Sequence, residues 1–136
     1  MVKCLVVDDD ELGRDLIAHY LKGIADCEMA GNGVKAVEMF RTAFEAGIPY
    51  DLIILDIVMP EMDGHTAAKE IRNVEKEWGV SIHEGVNIMV LSSLNTPGDV
   101  MQAYVSARSA AHLVKPVHPE KLLATLSKMG ICTQRQ

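Results

Sequence analysis

Five short apolar runs alternate with five amphipathic segments along 136 residues. That alternation predicts an α/β fold, a doubly wound five-stranded parallel sheet with helices on both faces. The apolar runs are near-continuous rather than alternating, as strands buried on both faces require. Four of them end in acidic, hydroxyl or basic residues, the arrangement of a sheet whose carboxyl edge meets a ligand. Right-handed crossovers make the strand order 2-1-3-4-5 the leading choice.

The first strand is Cys4-Leu5-Val6-Val7, ending in Asp8-Asp9-Asp10. The first helix then places Leu12, Leu16, Tyr20 and Ile24 on its inner face with Ile17 and Leu21 beside it. Asp10 is its cap, and Gly23 and Asp26 lie near its exit. Cys27 to Ala30 is a weak second strand. Asn32-Gly33 turns the chain into the second helix, where Val37, Phe40 and Phe44 recur at helical spacing, and Gly47-Ile48-Pro49 ends it. The third strand, Leu52 to Leu55, terminates at Asp56. The third helix runs from Gly64 to Trp78 with Ala67, Ile71, Val74 and Trp78 inward. Gly79 to Val86 is polar and glycine-containing, a surface loop. Asn87 to Leu91 is the fourth strand, ending in Ser92-Ser93. A fourth helix starts near Thr96-Pro97-Gly98-Asp99 and carries Val100, Tyr104 and Ala107, with Met101 and Val105 exposed as a candidate output surface. Ala111 to Val114 is the fifth strand, ending in Lys115-Pro116, an X-Pro bond suited to a cis peptide. Pro119 opens the fifth helix, whose inner face is Leu122, Leu123, Leu126 and Met129. The (βα)5 plan is flavodoxin-like.

The length suits one domain with a self-sufficient core. With 49% hydrophobic but only 4% aromatic residues, that core rests on Leu, Ile, Val, Met and Ala. A net charge of −6 argues against a nucleic-acid surface, which needs a basic patch. No run reaches membrane-spanning length, and the start lacks the parts of a signal peptide. Cys4, Cys27 and Cys132 are far apart and form no Cys-x-x-Cys pair, which reads as idle thiols in a reducing cytosol. His19, His65, His83 and His118 lack metal-ligand spacing.

The chemistry gathers at the strand ends. Asp8 and Asp9 end the first strand, Asp56 the third, Ser92 the fourth and Lys115 the fifth. Clustered carboxylates repel one another unless a cation or protons intervene, and oxygen-only ligands suit Mg²⁺. A carboxylate beside Mg²⁺ and a lysine is placed for in-line phosphoryl transfer. Ser92 is placed to donate to a phosphoryl oxygen.

The ordered set resembles a receiver domain of a two-component response regulator. It is carried by Asp8-Asp9, by Asp56-x-x-Met59-Pro60-x-Met62-Asp63-Gly64, by Ser92 and by Lys115-Pro116, and it covers Lys3 to Met129. Residues 1–130 are then the receiver domain and 131–136 a C-terminal tail. The resemblance implies that Asp56 is the phosphoacceptor, that Asp9 ligates Mg²⁺ directly and Asp8 largely through water, and that the Val58 backbone carbonyl completes the protein ligands. It further implies that Ser92 and Lys115 contact the phosphoryl group, with Ser92 the switch hydroxyl. The implied partners are a histidine kinase or phosphotransfer protein and a downstream effector that reads the fourth helix, fifth strand and fifth helix. The protein is then a cytoplasmic signalling module, a monomer or weak homodimer, with no direct nucleic-acid contact and no membrane insertion.

Three positions depart from the family pattern. His112 stands where an aromatic switch residue is usual. Ala107-Arg108-Ser109 replaces the small segment before the fifth strand, and the loop after the third helix is long. Val58 and Leu94, two residues beyond Asp56 and Ser92, are apolar and cannot orient an attacking water. The phosphorylated protein is therefore expected to lose its phosphoryl group more slowly than a Val58→Asn variant, measured as decay of label; an equal or faster wild-type rate sinks the expectation.

Three other readings share parts of the pattern. A haloacid-dehalogenase-type phosphatase would use Asp8-x-Asp10, but Leu12 stands where its threonine belongs and there is no room for a cap. A flavodoxin-like electron carrier would need a Ser/Thr/Gly-rich loop where Asp8-Asp9-Asp10 stands. A non-phosphorylated interaction module would not need the acidic set with Ser92 and Lys115.

Overall fold

The structure is a computed structural model and describes residues 1–57, 63–81, 83–92 and 110–134. The predicted fourth helix, Val58, Met59 to Met62 and Leu94 lie outside those residues. The elements are β1 (Val2–Val7), α1 (Glu11–Tyr20), β2 (Ala25–Ala30), α2 (Gly33–Glu45), β3 (Leu52–Asp56), α3 (Gly64–Glu77), β4 (Asn87–Ser92), β5 (Ala111–Val114) and α4 (Pro119–Lys128). The strands form one parallel sheet in the order β2-β1-β3-β4-β5, as the alternation predicts.

Strand alternation divides the core in two. Leu5, Val7, Ile53, Leu55, Ile88 and Val90 face α2 and α3, packing on Phe40, Ala67, Ile71 and Val74. Cys4, Val6, Leu52, Ile54, Met89 and Leu91 face the other way, onto Ile17, Leu21, Leu122 and Leu126. Each fully buried Leu or Ile contributes about 1.5–3 kcal/mol, so β3, buried along its whole length, is the anchor of both layers.

The helix starts follow their caps. The side chains of Asp10, Asn32 and Asp63 accept from the backbone N–H of Leu12, Lys35 and Thr66, satisfying donors that the first turn leaves unpaired. Pro119 sits in the first turn of α4. At Gly64 a Cβ would overlap the Asp56 carbonyl oxygen and the Ile57 Cα. Only glycine lets α3 begin against the end of β3, and its N–H donates to the Ile57 carbonyl at 2.7 Å.

Three expectations need correction. Leu12 and Leu16 do not face the core; they are 67% and 44% exposed, whereas Ile24 is buried as expected, together with Ile17 and Leu21 from the adjoining stripe. The inner stripe of α1 runs through Ile17 and Leu21 rather than Leu12 and Leu16, because two apolar stripes run along the helix and only one meets the sheet. Trp78 is exposed at the C-cap of α3 and stacks obliquely on Phe44, ring centres 5.7 Å apart. The segment after α3 is not merely a surface loop. Arg72 and Glu75 form a buried ion pair at 2.7 Å, and Glu75 Oε2 also accepts from the Val86 N–H at 2.6 Å. A Cβ at position 85 would lie 2.6 Å from Arg72 Nη1, so Gly85 lets the returning chain close over the pair.

Candidate functional site

Parallel register brings two carboxylates to one point. β1 and β3 pair from Cys4 opposite Leu52 to Val7 opposite Leu55, so the next residues, Asp8 and Asp56, stand level at the carboxyl edge. Alternation turns both toward the α1 and α4 side. They are 2% and 5% exposed, whereas Asp9 is open to solvent. One carboxylate oxygen from each of Asp8, Asp9 and Asp56 lies within 4.8 Å of the others. Asp10 is outside this cluster, occupied as the cap of α1, which removes the second acid of the Asp8-x-Asp10 phosphatase reading.

β4 and β5 supply the other two groups. Ser92 ends β4 with 1% exposure, one residue beyond the partner of Asp56. Its carbonyl accepts the Lys115 N–H at 2.8 Å, and the Lys115–Pro116 peptide is cis. From there the Lys115 ammonium donates to Asp8 Oδ2 at 2.9 Å and to Asp56 Oδ2 at 3.0 Å. Partial burial pushes the Lys115 pKa down, but hydrogen bonds and charge from Asp8 and Asp56 push it further up, and the net shift is upward. The lysine is therefore a fixed cation at physiological pH.

Asp8 is held from several sides. Its Oδ1 accepts the Asp10 N–H at 3.0 Å, its carbonyl accepts Arg14 Nη1 at 2.6 Å, and its N–H donates to the Ala30 carbonyl at 3.2 Å. Arg14 was not among the sequence candidates. Nothing in its spacing separates it from an ordinary surface arginine; only the fold brings it over the end of β1.

The Lys115 ammonium bridges the two buried carboxylates, Asp8 and Asp56, and the exposed Asp9 stands beside them. Carboxylates so placed repel unless a cation joins them. Their ligand atoms are all oxygen, the donor set of a hard divalent ion such as Mg²⁺, which keeps waters and takes one or two carboxylates. The residues present fit that ion. Val58, expected to add a backbone oxygen, lies outside the described residues.

His112 lies on β5, opposite Val90, and is half-buried. Its Nε2 is shielded from water and has no hydrogen-bond partner among the described residues. Burial first, and the positive charge of Lys121 second, lower its pKa. A base lowered in the folded state is protonated first in the unfolded chain. Its effect on stability is nil well above the unfolded pKa of about 6.5 and grows as a penalty as pH falls below that value. The stability lost between about pH 7.5 and pH 5.5 is expected to be smaller in His112→Gln than in wild type, measured by chemical denaturation. An unchanged loss contradicts it.

A cleft of about 520 Å³ opens from Asp8 and Lys115 between α1 and the β5–α4 connection, with Leu16, Tyr20 and His118 on its walls. The exposed Leu12 lies one turn earlier on α1. Among the described residues no helix is long and apolar enough to cross a membrane.

Residues 4–127 match the family model "Response regulator receiver domain". The chain is 35% identical over 134 residues to the two-component response regulator ORR41 of Oryza sativa subsp. japonica, covering 96% of each. It is 32% identical over 114 residues to Probable histidine kinase 2 of Oryza sativa subsp. indica, covering 77% of this chain but 10% of that longer protein. It superposes with a TM-score of 0.75 and 29% identity on the receiver domain of the histidine kinase CKI1 from Arabidopsis thaliana complexed with Mg²⁺ and BeF₃⁻, covering 93% of this chain and 90% of that one.

Proposed function

The chain belongs to the response regulator receiver domain family, and from that premise we propose that Asp56 accepts a phosphoryl group from a histidine kinase or phosphotransfer protein, with Mg²⁺ held at Asp8, Asp9 and Asp56. The observation that carries the reading is the meeting of those three carboxylates at the carboxyl edge of the sheet, with Lys115 bonded to both Asp8 and Asp56. The receiver resemblance implies that the Val58 backbone carbonyl would complete the protein ligands to the metal.

The chemistry follows from the charges. An Asp56 carboxylate oxygen attacks the phosphorus of a phosphohistidine. The new O–P bond forms as the P–N bond breaks, and the imidazole leaves with a proton. Bound Mg²⁺ supplies positive charge to the non-bridging phosphoryl oxygens. Lys115, already a fixed cation beside Asp56, moves a bond from carboxylate to phosphoryl oxygen, and Ser92 donates its hydroxyl there. The filled site then biases the surface around His112, β5 and α4 toward the form that a cytoplasmic effector protein reads.

The test is incubation with acetyl phosphate. The reading expects one phosphoryl group per chain with Mg²⁺, none with chelator, and no sustained turnover of a generic phosphate ester. Absence of labelling with Mg²⁺ would favour a non-phosphorylated interaction module.

Leu16 lines the cleft that opens from Asp8 and Lys115, and the exposed Leu12 lies one turn earlier on α1, a face open to a helical donor that brings its phosphohistidine to Asp56. Exposed apolar residues at such a rim are suited to docking. Leu16→Asp is expected to slow transfer from a cognate phosphoprotein donor about tenfold or more, the effect of losing about 1.4 kcal/mol of contact, while labelling by acetyl phosphate stays at the wild-type rate. Equal slowing with both donors contradicts that docking role.

A further inference from the structure

The second and first of the three cysteines, distant in sequence, are neighbours in the sheet. In the β1–β2 pairing Cys4 stands directly opposite Cys27, and both point into the layer beneath α1 and α4. Both are free thiols. We infer that Cys27 and Cys4 form an oxidant-sensitive pair, closing to a reversible disulfide between β1 and β2 on exposure to a small peroxide.

Geometry sets both the possibility and the character of the bond. Adjacent strands lie about 4.7–4.9 Å apart, within the Cα separation of about 4.4–6.8 Å that disulfides span. Side chains standing parallel on one face keep nearly that spacing, wider than the Cβ separation of about 3.5–4.5 Å in a relaxed bridge. Closure therefore requires the strands to draw together. β2 is an edge strand, bonded in the sheet only to β1, so a single neighbouring strand restrains it within the sheet. A bridge closed this way is strained and easily reduced.

The two thiols divide the roles. Cys4 is wholly buried, while Cys27 is half-buried on the edge strand, so a peroxide meets Cys27. The two thiols are close enough to interact. That contact lowers the Cys27 pKa against burial and the Asp26 charge, and raises that of Cys4. Thiolate character and access together make Cys27 the first to react. Its thiolate attacks one peroxide oxygen; an S–O bond forms, the O–O bond breaks, and hydroxide leaves to become water. Cys27 is oxidised to a sulfenic acid as the peroxide is reduced. The Cys4 sulfur then attacks the Cys27 sulfur. An S–S bond forms, the S–O bond breaks, and the departing hydroxide takes the Cys4 proton as a second water. Two thiols and one peroxide give one disulfide and two waters.

The experiment uses a Cys132→Ser chain, which removes the exposed third thiol, treated with hydrogen peroxide under native conditions. Thiol titration and non-reducing peptide mapping provide the readouts. The expected result is loss of both remaining thiols, a mass lower by two hydrogens, and one cross-linked peptide pair containing Cys4 and Cys27, restored by dithiothreitol. In a Cys4→Ala companion, Cys27 is expected to stop at an oxygenated product. Accumulation of a sulfinic acid on Cys27 while Cys4 stays reduced would overturn the proposal, as would both thiols surviving a peroxide dose that oxidises Cys132 in the wild-type chain. Neither readout depends on phosphorylation, so its outcome is separate from that of the receiver reading.

Discussion

Asp56→Asn is expected to take no label from acetyl phosphate and Mg²⁺ above background, while folding with its sheet intact. The carboxamide has nearly the shape of the carboxylate but cannot serve as the attacking oxygen anion, and loss of a covalent nucleophile removes the step outright. The substitution also takes one negative charge from a pair of buried carboxylates that share one ammonium. Lys115 then neutralises Asp8 alone, the site loses part of its pull on a divalent cation, and thermal stability in the absence of metal is expected to hold or rise. Labelling in Asp56→Asn at the wild-type rate would move the acceptor to another residue. A weak residual signal would point to Asp8 or Asp9, the other carboxylates within reach.

The largest effect on stability is expected far from the strand ends. Arg72→Met should cost about 3–5 kcal/mol. Its partner Glu75 has only 3% of its side chain exposed, and removing the guanidinium strands that carboxylate in the interior. Glu75 retains the Val86 N–H, one hydrogen bond against the desolvation of a charge. Replacing both residues, Arg72→Met with Glu75→Met, removes the stranded charge and leaves the Val86 N–H unmet, a penalty of about 1–3 kcal/mol. The double variant should thus be more stable than Arg72→Met alone, a coupling that a double-mutant cycle on denaturant midpoints reads directly. A cost below about 1 kcal/mol for Arg72→Met would mean that the pair behaves as a surface ion pair.

The fold was legible because continuous apolar runs and capping residues act locally. Leu52 to Leu55 announces a strand buried on both faces, and Asp10, Asn32 and Asp63 mark helix starts whatever surrounds them. The site was legible for a related reason: Asp8, Asp56, Ser92 and Lys115 all follow the last apolar residue of a strand, so parallel topology alone gathers them. What failed depended on contacts between distant segments. α1 carries two apolar stripes, and only the sheet decides that Ile17 and Leu21 enter while Leu12 and Leu16 stay out. Arg72 and Glu75 have the spacing of an ordinary solvent-exposed pair; their burial is made by Gly85 and Val86 folding over them. Cys4 opposite Cys27 follows from strand register, and Arg14 at the Asp8 carbonyl from the packing of α1 over the end of β1; residue spacing encodes neither.

The most direct test is to locate the phosphoryl group itself. After incubation with acetyl phosphate and Mg²⁺, borohydride reduces an acyl phosphate to an alcohol that peptide mapping can place. The account predicts reduction at Asp56, with Asp8 and Asp9 unmodified and nothing trapped when chelator is present. Trapping at Asp8 or Asp9, or a borohydride-resistant phosphate on a serine or histidine, would contradict it.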